Sequence, residues 1–571
     1  MGMHIMKQEN PLIWAWWGWE PLPFYLHYTK NAPGLLNSGG DELKKWYRTL
    51  HDEATVKAAA ELGINCIVTH FIKGFGLAHE MEDVKLTADL VEKCHRHGIK
   101  VFGYLQYGSI FHETFYLDYP DAKNWIALNE DGTPLLWCNS KSRYMPCIES
   151  LEYLSYLKER IKQGILEVGL DGLHFDNFYS RPCYCQHCRE AYRQASGTEL
   201  PTAQMMEDAP YSPKVRRWVR YRCEKLTQRM IELRDYARSL KPDVMTIWNP
   251  SPIRGLFDQR LLRATDVCQL GKNAGFLWSE SGNFPGMGEH GPIHQVNFFK
   301  TAAAVGYRTF STVWKSSTEG IGLPESKEEV ALINAETGAF GAETGNNWLM
   351  RPHYIHQFTE GELCKEWKKQ VDFIKENRQL FIGSKSKGEI ALFFDWEQAE
   401  LDFPYAYRAF LSLQQMLLQN HITFDLLFSG QEAQFKDYAL TISAATRQPD
   451  VMTFSKEELI GDVSGSYQAS VVEPPCSAKL VQRILDALPS REVMVDAPEH
   501  VFIERRIAQD RTNILHLVNY DNTHPIPSID ILFSNPPSTI KRHSPEGNSI
   551  LRQDGCKVTL PDLRTWSILT W

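Results

Sequence analysis

Asp176 sits near the end of the apolar run Gly172 to Phe178 (GLHFDNF), and Glu280 ends the run Gly275 to Glu280 (GFLWSE). Two carboxylates at strand ends are the equipment glycoside hydrolysis needs. One attacks the anomeric carbon or activates water, and the other protonates the leaving oxygen. The neighbouring strand ends carry groups that suit a sugar: His70, Gln106 and Tyr107, Trp248 and Asn249, and Trp314 and Lys315. We read Asp176 and Glu280 as the catalytic pair. His70, His174, Asn177, Asn249 and Lys315 are candidates to bind hydroxyls, and Trp14, Trp248 and Trp314 to stack on an apolar ring face. Plainer readings stand beside these. Asp176 is then a hydrogen-bonded loop acid, and Glu280 borders a Gly-rich segment (Ser281 to Gly286) whose register the sequence leaves open. Most of the N-terminal tryptophans (Trp14, Trp16, Trp17, Trp19) are then core.

A second cluster follows seven residues after Asp176: Cys183-Tyr-Cys185-Gln-His-Cys188. Three thiols at this spacing supply three of the four soft ligands of a tetrahedral zinc site. Cys147 is the first candidate for the fourth, with Cys138 and His187 behind it; three buried thiols without metal is the alternative. A closed four-thiolate site is structural, so its expected role is to pin the loop after the strand that carries Asp176.

These residues need a scaffold that brings strand ends together. From Leu12 to Met350 short β-rich runs alternate with helical stretches. The strands are expected at Leu12–Trp19, Asn65–Phe71, Lys100–Tyr107, Gly172–Phe178, Val244–Asn249, Gly275–Glu280, Arg308–Trp314 and Asn346–Leu349, with one long helix over Asp41–Leu62. Eight such units point to a (β/α)8 TIM barrel, whose active site lies at the C-terminal strand ends. A doubly wound open sheet is the rival, but no Gly-rich dinucleotide loop follows the first strand. Beyond Leu363 a second, smaller α/β pattern runs to about Ala497, and from His500 the pattern is β-only. The expected division is 1–384 as a catalytic barrel, 385–497 as a flavodoxin-like α/β domain, and 498–571 as a small C-terminal β-sandwich.

The bulk numbers agree with this division. A chain of 571 residues exceeds the roughly 250–300 that one core supports. A net charge of −9 argues against nucleic acid as a partner. No stretch reaches the roughly 18 apolar residues of a membrane span, and Met1 to Asn10 lacks the apolar core of a signal peptide. The cytoplasm is the expected compartment, and its reducing character fits twelve cysteines that are mostly scattered.

An acid on the fourth strand, C-x-C-x-x-C just after it and a cysteine upstream together resemble the barrel of glycoside hydrolase family 42 β-galactosidases. The likeness is closer to the hypothetical glycosyl hydrolases grouped near that family, which carry Asp-Asn where this chain has Asp176-Asn177. The resemblance implies zinc on Cys147, Cys183, Cys185 and Cys188. It also implies a trimerisation-type middle domain, here shortened after Tyr438, hence a homo-oligomer (trimer or dimer), and a C-terminal β-domain. The departure is in the acids. Family 42 ends its fourth strand in Asn-Glu and places its nucleophile on the seventh, where this chain has Trp314-Lys315. An Asp nucleophile on the fourth strand is similar instead to α-galactosidase-like and α-fucosidase-like barrels. The expected activity is therefore a retaining glycosidase on an oligosaccharide or glycoside, weighted toward an α-linkage. A β-galactosidase-like enzyme and an inactive sugar-binding protein are the alternatives.

Overall fold

Apolar runs covered on both faces form parallel strands, because helices pack on one side and a core fills the other. The computed structural model describes residues 10–18, 20–24, 26, 40–250, 258–281, 284–288, 291–313, 315–317, 320–322, 324–346, 361–454, 456–459, 478–488 and 490–571. Trp14–Trp16, Cys66–Ile72, Lys100–Gln106, Gly172–Asp176, Met245–Trp248 and Phe276–Leu277 pair in chain order, all parallel. Gly345–Asn346 pairs parallel with the first of them, giving a seven-stranded sheet. Parallel bridges Phe276–Arg308 and Phe310–Glu343 lie between its edges, and Ser279–Ser281 pairs parallel with Ser311–Val313.

The sheet curls around its own core. Trp14, Trp16, Phe102, Tyr104, Ile247, Phe276, Trp278 and Phe310 form one buried cluster. Trp14 meets Phe276 of the far edge strand edge-on, with centroids 5.6 Å apart, and stacks on Phe310 at 4.4 Å, so residues from the two sides of the sheet come together. Alternate residues such as Leu173, Phe175 and Trp248 face the helices instead.

The expected single helix over Asp41–Leu62 is two helices, Gly40–Leu50 and Glu53–Glu61. The break has a tertiary cause. The indole of Trp17 donates to the Leu50 carbonyl at 2.8 Å, and the hydroxyl of Thr55 to the Thr49 carbonyl at 2.7 Å. Those carbonyls are diverted from the helical ladder, and Asp52 turns extended.

Further along, Phe424–Phe428, Ile390–Phe394, Leu440–Ser443 and Met452–Thr453 form a four-stranded parallel sheet. The end of the chain builds a six-stranded and a four-stranded sheet that share a buried core. Lys385–Ser386 and Val493–Asp496, which the sequence reading places within 385–497, pair antiparallel into these terminal sheets. Their patterns explain it. Val493–Asp496 alternates buried and exposed, as a strand with one wet face does, whereas Ile390–Phe394 is buried throughout. No helix among the described residues is long and apolar enough to cross a membrane.

One buried ion pair ties the three parts. Lys300, on the helix Val296–Val305, donates to the Phe424 carbonyl at 2.6 Å and to Glu504 at 2.7 Å. Lys300→Met takes the nearest cation from the buried Glu504 carboxylate, leaving it the Ser386 hydroxyl at 2.6 Å and Arg506 at 3.9 Å, and is expected to cost about 3 kcal/mol of stability. Calorimetry on the full chain checks this, with Lys300→Met/Glu504→Gln expected to recover most of the loss.

Candidate active site and metal centre

Period-two alternation turns Tyr104 and Gln106 of one strand, and His174 and Asp176 of the next, toward the interior of the curled sheet. Asp176 comes last on its strand and is buried, 4% exposed. Three donors converge on its carboxylate. The Asn249 amide donates to Oδ1 at 2.6 Å, while the Tyr104 hydroxyl and the Asn177 amide donate to Oδ2. The backbone enforces this. Asn177 adopts φ 52°, a left-handed conformation that asparagine tolerates better than most residues. Gly108 packs against that turn, and a Cβ there would lie 2.3 Å from the Asn177 carbonyl oxygen.

Behind the carboxylate runs a chain of charged and polar groups. Lys73 donates to the Tyr104 hydroxyl oxygen at 2.8 Å and pairs with Glu20 at 2.6 Å. The Tyr104 hydroxyl also lies 3.1 Å from Oε1 of Gln106, which accepts from Arg143 at 3.3 Å. Arg143 is held by the Ser109 hydroxyl at 2.6 Å and lies over the Trp137 ring, 3.6 Å from its centroid. Burial pushes the Glu20 carboxyl up, opposed by Lys73, and pushes the Lys73 ammonium down, opposed by Glu20. Burial, reinforced by the Asp176 charge, pushes Tyr104 well above its ordinary value, so its hydroxyl keeps its proton. Glu80, pushed up to about 8 by burial, accepts the backbone amides of Gly74 at 3.2 Å and Phe75 at 3.1 Å, and also that of Lys73. It thereby shapes the loop that carries Lys73.

The structure joins Asp176, Asn177 and Asn249 directly and separates several other candidates. His174 lies one layer below Asp176, edge-on to Trp16 and Trp278 and fully buried; burial lowers it to about 4, leaving it neutral near pH 7. His70 is buried 3.9 Å from Glu80. Trp14 is not at the mouth: it fills the interior near the N-terminal strand ends and donates to Glu343 at 2.6 Å. Trp248 turns toward the helices, stacked on Phe175 at 4.1 Å. Both corrections follow from alternation and strand position, which decide whether a tryptophan reaches the open end. Glu280 lies on Ser279–Ser281 opposite Thr312. Lys315 opens a small antiparallel hairpin, Lys315–Ser317 with Gly320–Gly322, instead of ending the seventh strand. Trp314 lies outside the described residues.

Glu20, Lys73, Tyr104 and Arg143 escaped the sequence reading. Tyr104 carried a signal, since it shares the phase of Phe102 and Gln106 within Lys100–Gln106. Lys73 is a lone cation directly after an apolar strand. Nothing local marks Glu20 or Arg143.

Beside this site, the sulfurs of Cys147, Cys183, Cys185 and Cys188 all lie within 4.8 Å of one another, and all four residues are buried. The Cys147 sulfur is 3.4 Å from Cys188, 3.5 Å from Cys185 and 4.0 Å from Cys183. These distances exclude S–S bonds, which are about 2.05 Å. A tetrahedral ion with metal–sulfur bonds of about 2.3 Å spaces its sulfurs by about 3.8 Å. The donor set thus fits a metal ion. Backbone amides of Leu128 and Glu149 donate to Cys183 and Cys147, each at 3.4 Å, as they would to thiolates. Cys138 is exposed and, like His187, stands outside the cluster.

Neither a family model nor a curated protein matches this sequence. Solved structures do match its fold. The cold-adapted β-galactosidase of Rahnella sp. R3 superposes with a TM-score of 0.67 at 13% identity, covering 99% of each chain. Gan42B, a family 42 β-galactosidase, gives 0.68 at 11% identity over 99% of this chain and 98% of its own. α-L-Fucosidase isoenzyme 2 of Paenibacillus thiaminolyticus gives 0.66 at 14% identity over 91% and 96%. At such identities the matches speak to architecture: over nearly its whole length, the chain has the fold of these glycoside hydrolases.

Proposed function

We propose that the protein is a retaining glycosidase built on a (β/α)8 barrel, with Asp176 as nucleophile and Glu280 as general acid and then base. The observation that carries this reading is the Asp176 carboxylate, ending a strand with three hydrogen-bond donors upon it. In the first step an Asp176 oxygen bonds to the anomeric carbon as the glycosidic C–O bond breaks, and the leaving oxygen takes the Glu280 proton. In the second, water attacks that carbon, returns a proton to Glu280 and releases Asp176. A nucleophile on this strand, with a fucosidase among the structural matches, favours an α-glycoside. The β-galactosidase likenesses support the alternative. With this reading go a structural zinc on the four cysteines, 385–497 as a flavodoxin-like domain apart from its two ends, which pair into the terminal sheets, a homo-oligomer and a cytoplasmic setting.

A panel of p-nitrophenyl α- and β-glycosides tests the proposal. Release of nitrophenol is expected with α-L-fucoside or α-D-galactoside ahead of β-D-galactoside, with the first product in NMR keeping the substrate anomer. Preference for the β-galactoside would overturn the α assignment. Sugar binding by calorimetry without turnover would point to the inactive sugar-binding alternative.

A further inference from the structure

We propose that Lys73, clamped by Glu20, is a positioning residue that commits the Tyr104 proton to Oδ2 of Asp176 and leaves Oδ1 as the attacking oxygen. This rests on Asp176 being the nucleophile. The Tyr104 hydroxyl has one proton and two acceptors within reach, Oδ2 of Asp176 and Oε1 of Gln106. Arg143 already donates to that Gln106 oxygen, which weakens the competition. Lys73 fills the other side of the Tyr104 oxygen at 2.8 Å. An oxygen that accepts from a cation becomes a stronger donor through its own proton, so Lys73 tightens the bond to Asp176. Glu20, 2.6 Å away, holds the ammonium in place within a buried site.

The result is an asymmetric carboxylate. Oδ2 takes two donors, Tyr104 and Asn177, whereas Oδ1 takes Asn249. The oxygen with fewer donors keeps more of its lone-pair density for attack. The titratable and charged groups around Asp176 are Glu20, Lys73, Tyr104, Arg143, Tyr179 and the neutral His174; of these, Tyr104 touches the carboxylate and Lys73 acts through it.

The test uses the full-length protein and p-nitrophenyl α-L-fucoside, or p-nitrophenyl β-D-galactoside if that is the one cleaved. Asp176→Gly with added azide first settles the nucleophile, since azide in its place forms a glycosyl azide. Tyr104→Phe and Glu20→Gln/Lys73→Met are then compared, the latter pair removing both buried charges together so that neither is stranded. Each is expected to lower kcat by about 10- to 100-fold, with KM nearly unchanged. The combined triple variant should be no slower than Tyr104→Phe alone, since Lys73 acts through that hydroxyl. Azide rescue together with additive losses, or with unchanged kcat in Glu20→Gln/Lys73→Met, would overturn this inference and leave the glycosidase reading standing. Failure of azide rescue would overturn both.

Discussion

Asp176→Asn is expected to lower kcat by roughly 10³-fold or more while the protein stays folded. The substitution conserves volume in a position only 4% exposed, so no cavity opens. It removes the negative charge that attacks, and it also sets an amide where a carboxylate accepted three donors. One of its atoms is then an NH2 group facing Asn249 or Tyr104, which costs stability but leaves the strand pairing intact. Steady-state kinetics against an unchanged circular dichroism spectrum checks the result. Near-normal turnover would remove Asp176 from the mechanism. The partner acid has a different signature. Glu280→Gln should impair substrates with poor leaving groups far more than nitrophenyl glycosides, whose leaving oxygen needs little protonation.

Metal removal is expected to produce the second large effect. Purified protein should contain about one zinc per chain, and a strong chelator should lower thermal stability and turnover together. The sulfur tetrahedron joins two stretches of chain. Cys147 follows the Ala127, Leu135 and Met145 segment, and Cys183, Cys185 and Cys188 follow Tyr179; all pack in one small cluster. Without a cation these thiols compete for protons. Hydrogen bonds from its neighbours pull the Cys185 thiol far down, while Cys147 and Cys188 are pushed up. A divalent ion lets all four serve as thiolates. Cys147→Ser should lower the metal content and the melting temperature in parallel. Protein free of metal, with four thiols that titrate freely in the native state, would contradict the assignment.

Part of this site was legible before any coordinates. Asp176 was placed by a local pattern: a short apolar run of strand length ending in an acid, between two helical stretches. The C-x-C-x-x-C cluster is equally local, because its three sulfurs lie within one turn and the start of a helix. Cys147 was harder, being 36 residues from Cys183, yet it is brought within 4.0 Å. The resemblance to family 42 implied it as the fourth ligand, which the spacing alone left open against Cys138 and His187.

The remaining facts were set by tertiary structure. Alternation along a strand follows from its phase, but a three-residue strand such as Trp14–Trp16 offers too short a run to tell mouth from floor. Trp14 therefore belongs to the floor and Trp248 to the helix side, and both look like sugar platforms in the sequence alone. The Glu20–Lys73–Tyr104–Asp176 chain draws on four separate segments, and no short-range rule joins them. Burying Lys73 and Glu20 is tolerable only because each neutralises the other, a condition that exists once the strands are assembled. The sequence by itself determined the alternating α/β order, the strand-end acid and the C-x-C-x-x-C spacing, because these are set by neighbours along the chain. Which groups press on the acid, and which tryptophans reach the opening, was decided by long-range packing, because it depends on strand register and on pairs of charges that only the fold brings within reach.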